Sequence, residues 1–264
     1  MKKFRLYTLL FLLVIASASC KRDITLNLNN NTGLLVIEGN ITNQRGPQYI
    51  KLSQNVAFTS ANTYPPVTGA TVSVTDDIGN SYPFTEGPAG TYSISRMAGI
   101  AGATYAMHVL TGGKTYTASS TMPDRVELDS ITTMNAPFGK NNQKQIVVHY
   151  QDPANVANQY RFVMYVNSVQ VDDVFANDDQ FTDGRYVNYT LFESDINIYP
   201  GDTVSVEMQC IDKNIYTYWF SLMQQQPNGP GGGVTPSNPP TNITPATLGY
   251  FSAHTTQTRT IVVK

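Results

Sequence analysis

Cys20 is the residue whose surroundings most clearly predict chemistry. It follows a basic start, an apolar run over residues 6–16 and the small residues at 17–19. This order is typical of an export signal that is cut just before a cysteine, whose thiol then receives lipid. Because the apolar run is shorter than the roughly 20 residues that span a bilayer, we expect residues 1–19 to be removed and Cys20 to anchor the mature chain in a lipid bilayer. An ordinary secretory signal, in which Cys20 has no role, is the alternative.

The aspartate-rich segment 172–184 is the second group of residues that could do chemistry. It holds five aspartates among turn-forming residues, and oxygen-rich loops can hold calcium, which takes about 6–8 oxygen ligands. Asp178, Asp179 and Asp183 are the candidate ligands. Because their spacing does not match the calcium loop of alternating Asp or Asn residues that ends in Glu, a solvated hairpin loop is the alternative.

The three histidines and two cysteines give no further motif. His108, His149 and His254 lack the His-x-His and His-Glu-x-x-His spacings of zinc sites. Cys210 lies in a stretch that alternates apolar and polar residues, so we expect it in the core as a small hydrophobic residue. The sequence also lacks a Gly-x-Ser-x-Gly elbow and a Walker loop. We therefore predict no catalytic residue and no cofactor, and a hydrolase built on paired carboxylates, which meet only in space, is left as an alternative.

The charge of the chain excludes one class of partner. The chain carries 17 Lys and Arg against 19 Asp and Glu, and the signal removes three basic residues, which leaves 14 against 19. Nucleic-acid binding needs clustered Lys and Arg. Because the sequence contains no basic stripe, we expect no nucleic-acid partner. Asn, Thr, Ser, Gly and Tyr supply the polar surface instead, which suits an extracytoplasmic β protein.

The elements that must position these residues are mostly strands. Residues 20–32 are rich in Asn and are predicted to form a tether between lipid and fold. Over residues 33–123, short runs that alternate apolar and polar residues are separated by turn residues, and seven of them indicate an immunoglobulin-like β-sandwich. The seven predicted strands are 35–41, 48–53, 70–75, 81–85, 91–95, 104–110 and 114–119.

A second β-sandwich is predicted over residues 124–264. Residues 212–226 change to helical spacing, with Ile215 and Trp219 on one face, and predict one short helix packed by aromatic side chains. Residues 227–246 are rich in Pro and Gly and predict a long loop without a core of its own. The predicted fold class is therefore mostly β, with two β-sandwich domains. The predicted strands of the second domain are 126–134, 145–150, 159–171, 185–192, 203–211, 249–253 and 258–263.

Several short segments keep a recognisable order and spacing along nearly the whole mature chain: Leu35–Asn43, Pro66–Val74, Asp77–Asn80, Gly90–Tyr92, Gly102–Tyr105, Gly113–Tyr116, Phe181–Gly184, Gly201–Thr203 and Gly249–Ala253. Together they resemble a family of Bacteroidetes lipoproteins that carries the domain of unknown function 4249. The run at 66–72 is also similar to transthyretin-like and carboxypeptidase-regulatory modules, which are immunoglobulin-like sandwiches. Asp129–Ile131 and Asp202–Val204 resemble a short acceptor motif for O-glycans on exported proteins of that phylum, which makes Ser130 and Thr203 candidate glycosylation sites.

The family resemblance also implies a function. Members of the family are outer-membrane lipoproteins that are often encoded beside TonB-dependent transporters. We therefore expect a non-enzymatic binding or accessory subunit with such a transporter as partner, and with loop 227–246 and segment 172–184 as contact surfaces. A surface adhesin that binds glycans or peptides through Tyr-rich strands such as 186–189 is the alternative. Whether the protein faces the periplasm or the cell surface is left open.

Overall fold

The computed structural model describes residues 32–57, 60–137, 139–226 and 236–264. In these residues the chain forms sixteen strands and one α-helix, so it is mostly β, as predicted. The predicted signal peptide, Cys20 and nearly the whole predicted tether lie outside the described residues.

The elements are β1 (Leu35–Thr42), β2 (Gly46–Gln54), β3 (Thr71–Asp76), β4 (Ser81–Glu86), β5 (Thr91–Met97), β6 (Thr104–Thr111), β7 (Lys114–Thr121), β8 (Leu128–Asn135), β9 (Lys144–Gln151), β10 (Gln159–Val166), β11 (Val169–Gln170), β12 (Phe175–Asp178), β13 (Tyr186–Leu191), β14 (Thr203–Cys210), α1 (Lys213–Gln224), β15 (Ile243–Thr244) and β16 (Leu248–Val262).

The first sandwich is a sheet that folds back on itself. Its strand order is β1, β2, β5, β4, β3, β6, β7 and β15, and β4 turns the corner because it pairs with both β5 and β3. Side-chain alternation explains the packing, since Ile37 and Ile41 of β1 are fully buried while Glu38 between them is exposed. The buried residues join one apolar core with Val72 and Met107 of the facing strands. All seven strands predicted for this half appear, each within about two residues of its predicted ends.

The second sandwich packs two sheets face to face. One sheet runs in the order β11, β10, β14 and β16, with β12 also paired to β10, and the other runs β13, β9 and β8. Their inward side chains form a separate apolar core. The rings of Tyr150 and Tyr160 lie 4.8 Å apart between centroids in this core, and Phe162 adds a third ring. Cys210 is buried there as a free thiol, as its alternating surroundings predicted.

Strand β16 belongs to both sandwiches. It pairs with β1 in parallel over residues 248–254 and with β14 in antiparallel fashion over residues 255–262. At about 3.3 Å per residue this strand extends about 50 Å. The sequence predicted two short strands here, 249–253 and 258–263, separated by the polar residues at 254–257. That break is wrong, since the polar residues are buried within one strand, where Gln257 donates a hydrogen bond to the backbone oxygen of Val126.

The single long strand predicted over residues 159–171 is also wrong. It is interrupted by a turn at Asn167 and Ser168, whose φ angles are 50° and 70°. Left-handed backbone of this kind suits the two-residue turn of a hairpin, so β10 ends and β11 returns beside it. The side chain of Asn167 fixes the turn, because it donates to Asp202 at 2.8 Å and accepts from the N–H of Thr203 at 2.9 Å.

The two cores meet close to residue 123, where the sequence predicted a domain boundary. Met122 lies in the first core and Val126 lies in the second. Ile243 and Phe251, which the sequence placed in the second domain, pack in the first core. The C-terminal part of the chain therefore contributes to both cores, and residues 32–264 form one compact unit.

Helix α1 is the short helix that the spacing predicted. Asp212 caps its start by accepting hydrogen bonds from the N–H groups of Asn214 at 2.8 Å and Ile215 at 3.1 Å, which satisfies backbone donors that a helix leaves free. Its inner face packs Ile215 against Tyr250 of β16. No helix among the described residues is long and apolar enough to cross a bilayer. The predicted fold class, mostly β with sandwich packing and one short helix, is confirmed.

Candidate functional site

Three aspartates from separate parts of the chain converge at one edge of the second sandwich. Asp152 follows β9, Asp179 follows β12, and Asp183 lies in the loop that leads to β13. One carboxylate oxygen of each lies within 4.8 Å of those of the other two. We call Asp152, Asp179 and Asp183 the acidic cluster. Because β9 and β12 lie in opposite sheets of the sandwich, the cluster connects the two sheets.

Backbone N–H groups orient two members of the acidic cluster. The N–H of Asn158 donates to Asp179 Oδ2 at 2.8 Å, and the N–H of Asn155 donates to Asp183 Oδ1 at 2.7 Å. Both donors lie in the loop between β9 and β10, so the two loops of the site are bonded to each other. In the part of the chain that the structure describes, the second oxygen of each of these carboxylates accepts no hydrogen bond.

Asp152 is the buried member of the acidic cluster. The residue is 0 % exposed, the phenol of Tyr160 donates to Oδ1, and Oδ2 has no hydrogen-bond partner. Burial raises the pKa of Asp152, the Tyr160 hydrogen bond opposes this, and the charges of Asp179 and Asp183 raise the pKa further. The N–H of Gly184 also favours the charged form, but it makes no hydrogen bond of normal geometry with Oδ2. The carboxylate of Asp152 is therefore buried, incompletely bonded and close to two like charges.

Two neutral oxygens beside the acidic cluster are also without partners. Asn158 is 5 % exposed and its Oδ1 accepts no hydrogen bond, and Thr182 Oγ1 is likewise buried and unbonded. Among the described residues, five buried side-chain atoms lack a partner, and three of these belong to Asp152, Asn158 and Thr182. Because buried polar atoms in folded proteins are nearly always hydrogen-bonded, this concentration indicates that the protein alone does not complete the bonding of these loops.

The sequence predicted Asp178, Asp179 and Asp183 as ligands, and the structure brings the last two together. Asp178 ends β12 and lies instead against the phenol of Tyr216, whose pKa is raised first by burial and then by this carboxylate. Asp152 was missed because it stands alone after a strand and is distant from the other two in sequence. Its position at the end of β9 is the signal that could have found it, since antiparallel pairing brings strand ends and neighbouring loops together.

Asp172 and Asp173 are hydrogen-bonded to residues outside the acidic cluster. Asp173 Oδ2 accepts hydrogen bonds from the N–H of Ser194 at 2.6 Å and from its hydroxyl at 3.2 Å. The N–H of Asp172 donates to the carboxylate of Asp195 at 3.1 Å. The predicted aspartate-rich hairpin is therefore divided into a bonded part near residue 194 and the part that joins the acidic cluster.

The described part of the Pro- and Gly-rich loop is residues 236–246, and with Thr247 it forms segment 236–247. This segment is held by side-chain hydrogen bonds and has little regular structure. Asn242 Nδ2 donates to the backbone oxygens of Ser119 at 3.1 Å and Phe251 at 2.7 Å. This side chain bridges β7 and β16, where the folded first sheet closes on itself. The segment is consequently fixed to the first sandwich and follows a defined path across it.

Open depressions of about 350, 380 and 420 Å³ border segment 236–247. One lies toward α1 and is lined in part by the polar residues Asn214 and Thr217. The other two lie beside Leu34 and share Thr247 as a lining residue. Binding residues concentrate on irregular segments held by a rigid scaffold, and this segment has that character.

A cation lies against aromatic rings where α1 covers the sheet. The guanidinium carbon of Arg161 lies 3.5 Å from the centre of the Trp219 ring, and the Trp219 and Tyr250 rings meet edge to face at 5.1 Å. Burial and the charge of Arg161 lower the pKa of His254 to about 3, so His254 is neutral near pH 7. The contacts of Arg161, Trp219 and Tyr250 join helix α1 to strands β10 and β16 beneath it.

The remaining candidate residues lie apart from these features. His149 lies on β9 and hydrogen-bonds Asn188, and His108 lies on β6. The candidate glycosylation sites Ser130 and Thr203 are both exposed, on β8 and β14. Within the described ranges, the acidic cluster is the one group of three His, Cys, Asp or Glu side chains close enough together to hold a metal ion.

Comparison with known proteins gives one informative match. A family model described as "Domain of unknown function (DUF4249)" matches residues 21–260, and no curated protein matches the chain. A two fibronectin type-III domain segment from chicken tenascin aligns at 12% identity over 68% of this chain and 90% of that chain, with a TM-score of 0.22. The adhesin InvE of Yersinia pseudotuberculosis aligns at 18% identity over 67% of this chain and 55% of that chain, also with a TM-score of 0.22. Scores this low carry no argument about this chain.

Proposed function

The chain belongs to the family of the domain of unknown function DUF4249, and from that premise we propose that it is a lipid-anchored, non-enzymatic accessory subunit of the bacterial outer membrane. Its anchor in this proposal is lipid on Cys20, and its partner is a TonB-dependent transporter. The export-signal pattern before Cys20 supports the anchor. The resemblance of the sequence to Bacteroidetes lipoproteins encoded beside such transporters supports the partner.

The observation that carries the proposal is the fixed segment 236–247 and its position. Thr247 donates a hydrogen bond to the backbone oxygen of Leu35, and two of the bordering depressions are lined by Leu34, which is 42 % exposed. Leu34 and Leu35 are among the first residues after the predicted tether. A partner embedded in the same membrane would therefore meet a rigid, irregular surface at the end of the body from which the tether leaves.

The acidic cluster supports a non-enzymatic role over a hydrolase. Three carboxylates converge there, but Asp152 is 0 % exposed, so an organic substrate has no access to it. General acid–base catalysis needs direct contact, or contact through one water, between the carboxyl group and the reacting atom. The three depressions that border segment 236–247 are lined by other residues, so a substrate bound there would not meet the acidic cluster.

Affinity purification of the full-length protein from solubilised outer membranes tests this proposal. The wild-type protein is expected to co-purify a transporter in stoichiometric yield. Leu34→Glu places a charge in two of the depressions and is expected to reduce that yield by about tenfold, since central contact residues contribute about 1–2 kcal/mol or more. Ile78→Glu is the matched control, because Ile78 is 80 % exposed in the turn after β3 and lies outside the segment.

Two results would contradict the transporter proposal. One is a wild-type preparation that contains no transporter. The other is an equal loss of transporter from both glutamate variants, which would indicate a general effect of added charge. Unchanged far-UV circular dichroism of both variants serves as the folding control.

Glycan or peptide binding at the outward face of β13 is a second candidate function. Tyr186 is 52 % exposed, and its ring stacks on His149 with 6.5 Å between centroids. The side chain of Asn188 hydrogen-bonds the same histidine, so an aromatic face and an amide lie side by side on the surface. Glycan-array binding that disappears in Tyr186→Ala but persists in Tyr49→Ala, a residue 46 % exposed on β2, would favour an adhesin over a transporter subunit.

A further inference from the structure

We propose that the acidic cluster is a calcium-binding site that ties together the two sheets of the second sandwich. Asp152 contributes from the end of β9, and Asp179 and Asp183 contribute from the loop after β12. Two oxygens on opposite sides of one calcium ion lie about 5 Å apart, because calcium–oxygen distances are about 2.3–2.6 Å. The mutual separation of the three carboxylate oxygens, within 4.8 Å, fits that span.

The unbonded oxygens around the cluster point to a ligand independently of its charge. Asp152 Oδ2 is fully buried in a carboxylate that belongs to the cluster, and it has no hydrogen-bond partner. Asn158 Oδ1 is buried and unbonded, and its backbone N–H is bonded to Asp179. Leaving such atoms unpaired in the interior is unfavourable. A cation coordinated by these oxygens removes the penalty, whereas hydrogen bonds within the protein do not.

The charges of the site also favour a cation. Three carboxylates lie together, and among the described residues none of them has a Lys, Arg or His nitrogen within 4.0 Å, since the ion pairs found there all involve Glu127. Like charges held this close favour protonation or a positive ligand. Asp183 is exposed and Asp152 is buried, so the cluster extends from the surface into the interior of the sandwich.

The donor atoms select calcium over other common ions. The three donors of the cluster are all carboxylate oxygens. The unbonded atoms nearest to them in the chain are also oxygens, the neutral ones of Asn158, whose N–H is bonded to Asp179, and of Thr182, which precedes Asp183. Zinc prefers nitrogen and sulfur ligands, and magnesium demands a near-ideal octahedron with several retained waters. Calcium accepts about 6–8 oxygens in irregular geometry, which suits donors that come from two loops and leaves positions for water.

A bound calcium ion would fix the loop at 152–158 to the loop at 179–185. Hydrogen bonds already join these loops, from the N–H groups of Asn158 and Asn155 to the carboxylates of Asp179 and Asp183. The N–H of Asp152 also donates to the backbone oxygen of Arg185. The ion would replace repulsion between the carboxylates with attraction and so hold the edge of the sandwich closed. Calcium is then a structural ligand of this surface, and no step of chemistry is assigned to it.

Titration of the full-length protein in detergent with calcium alone, after removal of bound metal by a chelator, tests the site. Calorimetry is expected to give one ion per chain. Terbium is a second probe, since it replaces calcium and its luminescence is sensitised by a nearby tyrosine, and the phenol of Tyr160 is bonded directly to Asp152. Asp183→Asn, at an exposed position, is expected to weaken binding by about tenfold or more. Asp178→Asn is the matched control and is expected to bind as wild type does.

The outcomes separate clearly. The site is supported if calcium displaces terbium and removes its luminescence, and if Asp183→Asn weakens terbium binding by about tenfold or more while Asp178→Asn binds as wild type does. The absence of calcium binding at about 5 mM would overturn it, because this concentration exceeds the dissociation constants of the weakest calcium sites in extracellular modules. Equal affinity in the Asp178 and Asp183 variants would overturn it as well, because the ion would then lie elsewhere. Because Asp183 is exposed, the folded state of its variant can be verified by circular dichroism before titration.

Discussion

Each sandwich carries an acidic turn, and the two turns are bonded in opposite ways. In the first sandwich, Asp76 accepts hydrogen bonds from the N–H and the side-chain amide of Asn80, both at 2.8 Å, and from the phenol of Tyr82 at 3.0 Å. In the second sandwich, Asp152 accepts one hydrogen bond, from Tyr160, and keeps a buried oxygen unbonded. The first turn completes its own bonding, whereas the second does not.

The pKa shifts of the two aspartates follow from this difference. Burial raises the pKa of Asp76, but hydrogen bonds from Asn80 and Tyr82 outweigh it, so the pKa is lowered overall. Burial raises the pKa of Asp152, and neighbouring carboxylates raise it further. The number of aspartates in a turn therefore does not identify a ligand site. Incomplete hydrogen bonding of a buried carboxylate is the better indicator.

The two sandwiches share β16, and a substitution at Gly249 of this strand is expected to have the largest effect. A Cβ at Gly249 would lie 1.9 Å from the backbone oxygen of Ile37, and the φ angle is +95°. Gly249→Ala is therefore expected to lower the free energy of unfolding by about 3 kcal/mol or more. Denaturant unfolding followed by Trp219 fluorescence and by circular dichroism measures it, and both signals are expected to change in one transition.

Gly102→Ala is the matched control for that variant. Its φ angle of +85° is similar, but a Cβ there meets no atom within 4 Å, so a loss of about 1 kcal/mol is expected from backbone strain alone. An effect of Gly249→Ala no larger than that of Gly102→Ala would show that β1 and β16 are not packed as closely as described.

Calcium is expected to stabilise one turn and not the other, and Asp152→Asn tests this. At a calcium concentration about 100 times the dissociation constant, the wild-type protein should gain about 2.7 kcal/mol by mass action, and the variant should gain little. In chelator the variant should be at least as stable as wild type, because one of three like charges is removed while the Tyr160 bond can persist. Thermal unfolding in calcium and in chelator measures both effects. A variant that is less stable by the same amount in both conditions would indicate a purely structural aspartate.

Acidification should weaken calcium binding because protons compete for the carboxylate of Asp152. Its pKa is raised above the ordinary value of 3.8, so binding is expected to be full above the raised pKa. Below it, affinity should fall by up to about tenfold per pH unit for each proton taken up. Without calcium, the folding stability should change with pH in the opposite direction. The penalty of ionising Asp152 in the folded state lowers stability as pH rises through the raised pKa, and it is absent below the pKa of the unfolded chain. Calcium titrations between pH 7 and 4 check the first statement, and pH-independent affinity would contradict it.

The smallest expected effect is that of Asp76→Ala in the first sandwich. The variant loses the acceptor of the bonds from Asn80 and Tyr82 and should be slightly less stable, to the same extent in calcium and in chelator. Because the folded pKa of Asp76 is lowered, the wild-type advantage should be present above the unfolded pKa and fade as pH falls through the folded one. Thermal unfolding across pH measures it, and a calcium-dependent difference would break the contrast between the turns.

Much of the fold could be predicted from the sequence, because the first sandwich alternates apolar and polar residues with turn residues between its strands. Two errors have a shared physical cause. The sequence predicts separate strands on either side of residues 254–257, yet tertiary packing buries these polar residues within the single strand β16. Asn167 and Ser168 were interpreted as strand, yet their left-handed φ angles make a turn. The local residue pattern determines neither which polar residues are buried nor the sign of φ, because tertiary packing decides both.

The candidate site could be predicted only in part for a similar reason. Asp179 and Asp183 stand close together in sequence, so the sequence predicts both. Asp152 and Asn158 come near them only through the pairing of strands, which spacing along the sequence does not reveal. The sequence also predicts Asp178 as a ligand, because composition does not distinguish it from the neighbouring aspartates. The unbonded oxygens that single out the site exist only in the folded protein.

The most direct test of the contrast between the two sandwiches is a crystal structure of the protein grown in calcium, with anomalous scattering used to locate the ion. The account predicts one peak in contact with oxygens of Asp152, Asp179 and Asp183, at about 2.3–2.6 Å, and none at Asp76. No peak at the acidic cluster, or a peak at the turn of the first sandwich, would contradict it.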